Sequence, residues 1–291
     1  MQLSLLLALP YRLSPELVAK LGAVAMSVNI DYQGDRRRVV LVTGATGGIG
    51  RATSLAFAKT GQYDLALHYN SASHETRDQL ASDVAGVMSA GQHIKYEFFQ
   101  ADLGNYDSVR RMHKQVVDSI GDIDVLFNNA GATGGMTGVQ SLADVPIDTF
   151  EQTWRVNTGS GILLAQLCLP HMEEQNWGRI IFDSSVAAFT GGFVGPHYAS
   201  SKSAMHGFIH WLANNVAKKG VTVNGVAPAM ITDTAMMGNP DTEDMERRIA
   251  QKLPVGRLGR PQEIAETVMW MVNTAFVTNK VVTVDGGMYP Y

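Results

Sequence analysis

The chain has 291 residues, 45% hydrophobic and 17% charged, enough apolar side chain to bury one substantial core. A net charge of −4 leaves no basic footprint for nucleic acid, and no Lys/Arg cluster points to a membrane surface. The single cysteine, Cys168, excludes an intramolecular disulfide and a cysteine metal cluster; inside the apolar run 162–169 it reads as a small buried hydrophobe in a reducing compartment.

Residues 1–37 carry a short apolar run at 3–9, followed by Pro10, Arg12 and Lys20, without the basic start and small-residue end of a secretory signal. They read as a disordered or docked extension, or as an artefact of where translation was placed. A transit peptide would want more arginine, so a cytoplasmic setting is preferred to a mitochondrial one. No run approaches 18 apolar residues, so no spanning helix is expected.

The folded part begins with a β-branched run at 39–42, a buried strand. Thr43-Gly44-Ala45-Thr46-Gly47-Gly48-Ile49-Gly50 follows, then a helix over 51–59 with Gly61 as its stop. Strand, glycine turn and helix in this order make a dinucleotide cradle built from Gly44, Thr46, Gly48, Ile49 and Gly50. Gly44 allows the tight turn, Gly48 lets the backbone approach a pyrophosphate, and Gly50 brings the helix close to the strand. The phosphates belong at the positive end of the helix.

From there the pattern alternates as βαβ units do. Strands are expected at 64–68, 94–99, 125–127, 179–182, 221–226 and 281–284. Helices are expected at 75–88, 107–119 and 198–218. Asp148 and Glu151 look like a variant capping box opening a further helix that carries Asn157 and runs to Met172. Pro261 reads as a helix-start proline. The resulting fold class is α/β: a single Rossmann domain over 38–291, with a doubly wound parallel sheet of seven strands and helices on both faces.

Cofactor choice is written after the second strand, at His68-Tyr69-Asn70-Ser71. An acid there would accept from a ribose 2′-hydroxyl and repel a 2′-phosphate. No Asp or Glu occurs between Asp64 and Glu75, while Asn70 and Ser71 can donate to phosphate, with His74 or Arg77 adding charge. This favours NADP over NAD, although Thr46-Gly47 lacks a basic residue in the glycine loop. Asn129, Ala130 and Gly131, in the Asn-Asn-Ala-Gly run after the fourth strand, are small enough to let the backbone pass close to a cofactor ribose.

Tyr198 and Lys202 stand four apart on a helix and share a face. A phenol titrates near 10, and a fixed cation beside it favours the phenolate, bringing it towards acid–base work at neutral pH. The same spacing also describes an ordinary packing pair. Ser185, thirteen residues upstream, offers a hydroxyl to hold a carbonyl oxygen.

Together these motifs resemble the short-chain dehydrogenase/reductase family, over nearly all of 38–291. Carrying the resemblance are the Thr-Gly-x-x-x-Gly-x-Gly motif at 43–50, Asn-Asn-Ala-Gly at 128–131, Asn157, Ser185, Tyr198 with Lys202, and Val-Asp-Gly-Gly at 284–287. The run looks most like the 3-oxoacyl-(acyl-carrier-protein) reductase branch, especially its fungal relatives. The resemblance implies hydride transfer between nicotinamide and a carbonyl, with Ser185 rather than Ser184 beside the tyrosine. It implies that Asn157 holds a water linking Lys202 to solvent, and that Asp102 with Leu103 lies by the adenine. Alone, Asp102 reads equally as a solvated turn residue. The implied substrate is a 3-oxoacyl or related β-keto compound, free or linked to a carrier or CoA; the implied assembly is a homotetramer. A fold-retaining nucleotide binder without turnover is the alternative, and the intact set of four residues argues against it.

The family's Pro-Gly after the sixth strand is here Pro228-Ala229, so Ile231 is expected to offer its amide to the carboxamide only if φ at Ala229 is negative. Asp183 stands where relatives usually have an apolar residue, on the same strand face as Ser185. It is a paired structural carboxylate or a substrate-side group. His206 and His210 form an i,i+4 pair without a third ligand and read as packing or surface, so no metal is expected. Met230, Met236, Met237 and Met245 suit an adaptable lid or ordinary core filling.

Overall fold

A computed structural model describes residues 36–234 and 243–290, with side chains in the helix Glu243–Ala250 described from Arg247 onward. The extension expected over 1–37 lies almost wholly outside these residues, as do Met236 and Met237 and the side chain of Met245. Residues 37–291 form one compact unit.

Seven parallel strands build a single sheet: β1 (Arg38–Val42), β2 (Tyr63–Tyr69), β3 (Tyr96–Gln100), β4 (Ile123–Asn128), β5 (Gly178–Asp183), β6 (Val221–Pro228) and β7 (Lys280–Val284). Their spatial order is β3-β2-β1-β4-β5-β6-β7. Both faces are covered, which is why the central strands read as unbroken apolar runs rather than alternating ones. Several strands extend a residue or two beyond the sequence expectation, because ladder pairing continues past the apolar stretch, as at Tyr69–Gln100 and Pro228–Val284.

The helices are α1 (Gly48–Thr60), α2 (His74–Val87), α3 (Tyr106–Ser119), α4 (Ile147–Trp154), α5 (Ser160–Glu174), α6 (Ala187–Thr190), α7 (Pro196–Val216), α8 (Glu243–Ala250) and α9 (Pro261–Asn273). One core lies between the sheet and α3, α5 and α7, around Leu126, Leu164, Phe182 and Ile209. The other lies under α1, α2 and α9, around Val42, Phe57, Leu67 and Ile264. Gly61, at φ 66, ends α1, and Pro261 opens α9 in its first turn.

One expectation needs correction here. Asp148 is no cap: α4 opens at Ile147 after Pro146, and Asp148 lies inside the first turn, where its charge favours the helix end without a side-chain cap bond. The helix carrying Asn157 does run on past Met172, with a π-helical segment at Arg155–Gly159 joining α4 to α5. The short helices α6 and α8 were not foreseen, being too brief to show a period.

The order in which strands are added reverses between β1 and β4, and at that switch point the carboxyl ends of the strands open a crevice. The glycine loop after β1, residues 129–131 after β4, Ser184–Ser185 after β5 and residues 229–234 after β6 all emerge at this edge. Among the described residues no helix is long and apolar enough to cross a membrane.

Candidate active site

The glycine loop is pinned from below. Gly44 turns at φ 66, and its N–H donates to His68 Nδ1 at 3.0 Å. The other ring nitrogen of His68 lies 3.1 Å from the Ala101 carbonyl oxygen, so the partners assign a neutral ring with Nε2 protonated. Burial pushes His68 down to about 4, which keeps that tautomer through neutral pH. The sequence showed His68 only as a strand end; a polar side chain closing an apolar strand was the available signal.

A Cβ at Gly50 would collide with the Gly44 carbonyl oxygen and the Asn129 amide, so helix and loop pack as expected. Gly48 is needed for another reason: a Cβ there would strike the Asp233 carbonyl. The chain after β6 therefore rests on the glycine loop. Thr46 and Ile49 are half-buried, Ile49 against the core, and no acid occupies the first turn of α1. Its end amides remain suited to an anion.

Asn129 donates to the Thr43 and Gly44 carbonyls at 2.7 and 3.2 Å, while Thr43 Oγ1 accepts from Asn129 and Ala130 N–H at 2.9 and 3.0 Å. Thr43 is thus a second residue the sequence reading left without a role. Neighbouring Asn128 is buried with both amide atoms unpaired.

At the outer rim Asn70 and Ser71 are exposed. Arg77 lies over the Tyr69 ring at 4.6 Å and donates to its hydroxyl at 2.9 Å. Asp102 accepts from Gly104 N–H at 2.8 Å, as a turn aspartate does. The Leu103 side chain is in the core.

The four residues expected to be catalytic come together. Ser185 lies beside the Tyr198 phenol, its Oγ accepting from Ala187 N–H at 3.1 Å, whereas Ser184 turns the other way, onto His206 Nε2 at 2.7 Å. Lys202 Nζ stands 5.8 Å from the Tyr198 ring centre and donates to the Asp183 main-chain carbonyl. The Asn157 amide is engaged by Ala132, accepting from its N–H at 2.7 Å and donating to its carbonyl at 2.9 Å, and also donates to Ser201 Oγ at 2.9 Å. Between them is Gly131, where a Cβ would lie 3.4 Å from Lys202 Nζ and 3.5 Å from Asn157 Oδ1.

Electrostatics here differ from the sequence expectation. Burial pushes the Tyr198 phenol up, the Asp183 carboxylate adds to that, and the Ser185 hydrogen bond opposes it. Lys202 is pushed down by burial and held up by Asp183. Asp183 is itself raised to about 6 by burial, with Lys202 opposing. The acidification of Tyr198 expected from its neighbouring cation is therefore not found: desolvation, with Asp183, leaves the phenol above its ordinary range.

On the far wall Pro228 accepts from Val186 N–H at 3.0 Å, and Ala229 avoids positive φ. Ile231 is buried, and among the described residues no acceptor meets its N–H. Thr234 Oγ1 donates back to the Ile231 carbonyl at 3.0 Å. His210 lies 2.6 Å from Asn279 Oδ1, and no group of three metal-binding side chains occurs among the described residues. Burial pushes the Cys168 thiol up, far from a nucleophile.

A dinucleotide fits what is present: a positive-φ turn, a helix end without acids, an open amide at Ile231 and a buried lysine beside a phenol. Comparison with known proteins agrees. Residues 38–244 match the short chain dehydrogenase family model. A 3-oxoacyl-[acyl-carrier-protein] reductase of Aquifex aeolicus is 32% identical over 257 residues, spanning 87% of this chain and 97% of that one. An L-rhamnose 1-dehydrogenase (NAD(P)(+)) of Sphingomonas is 30% identical, spanning 87% and 96%. The acetoin dehydrogenase YohF of Salmonella typhimurium superposes with a TM-score of 0.75 at 28% identity, spanning 87% of this chain and 96% of that one. The chain belongs to the short-chain dehydrogenase family, a nicotinamide-dependent oxidoreductase of the CH–OH/C=O class similar to 3-oxoacyl-[acyl-carrier-protein] reductases.

Proposed function

We propose that the protein is an NADP-dependent carbonyl reductase acting on a 3-oxoacyl or related β-keto substrate, free or attached to a carrier or CoA. The observation that carries it is the meeting of Ser185, Tyr198 and Lys202 at the carboxyl edge of the sheet. Gly44, Thr46, Gly48, Ile49 and Gly50 would hold the pyrophosphate side of the cofactor. Asp102 and the Leu103 backbone would meet its adenine, residues 129–131 and Lys202 its ribose, and Pro228 and Ile231 its carboxamide side. Bound there, the nicotinamide supplies the hydride.

Tyr198 gives its proton to the carbonyl oxygen, and Ser185 holds that oxygen by a hydrogen bond that strengthens as charge develops. Lys202 stabilises the resulting phenolate and takes part in its reprotonation. Asn157 orders the 132 backbone beside Gly131, and would hold the water that links Lys202 to solvent.

Two features support NADP over NAD: the lack of an acid between Asp64 and Glu75, and the guanidinium of Arg77 seated on Tyr69 beside Asn70 and Ser71. Exposed Trp154 and Trp211 on α4 and α7, with Trp270 and Phe276 at the α9 side, suit burial between copies in a homotetramer. The buried thiol suits a cytoplasmic setting.

The experiment is NADPH and NADH oxidation across a panel containing 3-oxoacyl thioesters, simple diketones and sugar lactones, with Tyr198→Phe alongside. Turnover of a β-keto thioester with NADPH, abolished by Tyr198→Phe, is expected. Near-normal turnover in that variant refutes the mechanism; NADH preference refutes the cofactor assignment. Sedimentation measures the assembly.

A further inference from the structure

Asp183 has no part in the reaction as described, yet it is 8% exposed, and its Oδ1 has no hydrogen-bond partner. Its surroundings explain neither isolation nor retention by packing alone, because a buried carboxyl without donors is costly. Ser184 N–H bonds the Val226 carbonyl and Val186 N–H the Pro228 carbonyl, so the chain stays extended beyond β5. Asp183 and Ser185 consequently share one face, with Ser184 on the other. Ser185 lies beside the Tyr198 phenol, and Lys202 Nζ is docked on the main-chain carbonyl of Asp183 itself. The carboxyl thus belongs to the residue on whose main chain Lys202 Nζ is docked, and it leaves β5 on the face that carries Ser185.

We propose that Asp183 is a positioning residue for proton transfer: its carboxylate holds Lys202 as the ammonium and keeps the Tyr198 phenol protonated, so that the site rests as a proton donor poised for carbonyl reduction. This rests on the assignment of Tyr198 as the acid. An anion in this place makes loss of any proton from the Tyr198–Lys202 pair harder, whichever member loses it first. The directions agree, since Asp183 raises both groups. Among the described residues, other elements offer Asp183 no second cation. β6 sets apolar Val226 in register with it, β4 ends at the neutral amide of Asn128, and His206, one turn beyond Lys202, is engaged by Ser184.

The test compares the pH dependence of kcat/KM for ketone reduction in the wild type and in Asp183→Asn. The alkaline fall should move to lower pH by about one unit or more in the variant, a tenfold deficit at the alkaline end that disappears near neutrality. An unmoved fall, or a loss uniform across pH, overturns the proposal. A second measurement needs neither substrate nor nucleotide, and so separates failure of this inference from failure of the functional reading. In infrared difference titration the wild type should gain a carboxylic-acid band as pH falls through about 6. The band should be missing in Asp183→Asn and appear at higher pH in Lys202→Met, where the opposing cation is gone. A band unmoved by Lys202→Met overturns the coupling, and that comparison stands even if Asp183→Asn fails to fold.

Discussion

Two buried aspartates mark opposite ends of the same sheet. Asp124, near the start of β4 and 0% exposed, accepts from Val39 N–H at 2.7 Å and Gln175 Nε2 at 2.6 Å, and lies 3.2 Å from His171 Nε2. It joins β1, β4 and α5. Asp183, at the end of β5, has an oxygen with no donor at all. At the amino edge a buried charge is surrounded by donors and stabilises the fold. At the carboxyl edge the same residue type is left short of them, and its charge is available to bias neighbouring protons. Residual electrostatic imbalance thus concentrates where the chemistry is.

The largest expected effect breaks the working edge alone. Tyr198→Phe should lower kcat/KM by about 10²–10⁴-fold while thermal unfolding is unchanged within error. Steady-state rates and calorimetry on the same preparation check both halves. Asp124→Ala should do the reverse. It strands the Val39 N–H and the partners on α5, costing about 3 kcal/mol of stability, while activity per folded molecule persists. Urea titration with active-site normalisation measures this.

Asp183→Asn sharpens the contrast, because it should stabilise. The folded-state value of Asp183 is raised from 3.8 to about 6. A raised group adds stability that is fully present below its unfolded value and lost as pH rises through the folded one. At pH 7–8 the charged wild type therefore forgoes up to about 3 kcal/mol that the neutral variant does not, and the gap should close below about pH 4. Denaturation midpoints across that range give the answer; a variant less stable at pH 8 contradicts it.

The smallest effect concerns the His68 latch. His68→Leu should weaken nucleotide binding about tenfold, through loss of the Gly44 and Ala101 bonds, with kcat little altered. In the wild type the latch needs the neutral ring. Its lowered value of about 4 keeps it intact above the ordinary histidine range and lost only as pH falls through about 4. Nucleotide affinity measured by calorimetry should accordingly be flat from pH 8 to about 5 as far as His68 is concerned.

Local patterns in the chain specified much of this molecule. The order of apolar runs and helical segments determined a seven-stranded parallel sheet, since strands covered on both faces must be apolar throughout. The glycines at 44 and 50 announced a tight turn and a close helix contact, because a side chain is strained at the first and collides at the second. The i,i+4 spacing of Tyr198 and Lys202 placed them on one face by helix geometry alone.

What depends on distant partners was decided only on folding. Gly48 makes way for Asp233, almost two hundred residues on, and His68 finds Gly44 and Ala101 in the loops after two other strands. The π-turn at Asn157 and the start of α4 at Ile147 follow from tertiary fit rather than propensity. Above all, the phenol's environment could not be read from its lysine neighbour. Desolvation scales with how deeply the whole fold encloses a group, and the opposing carboxylate comes from a different element.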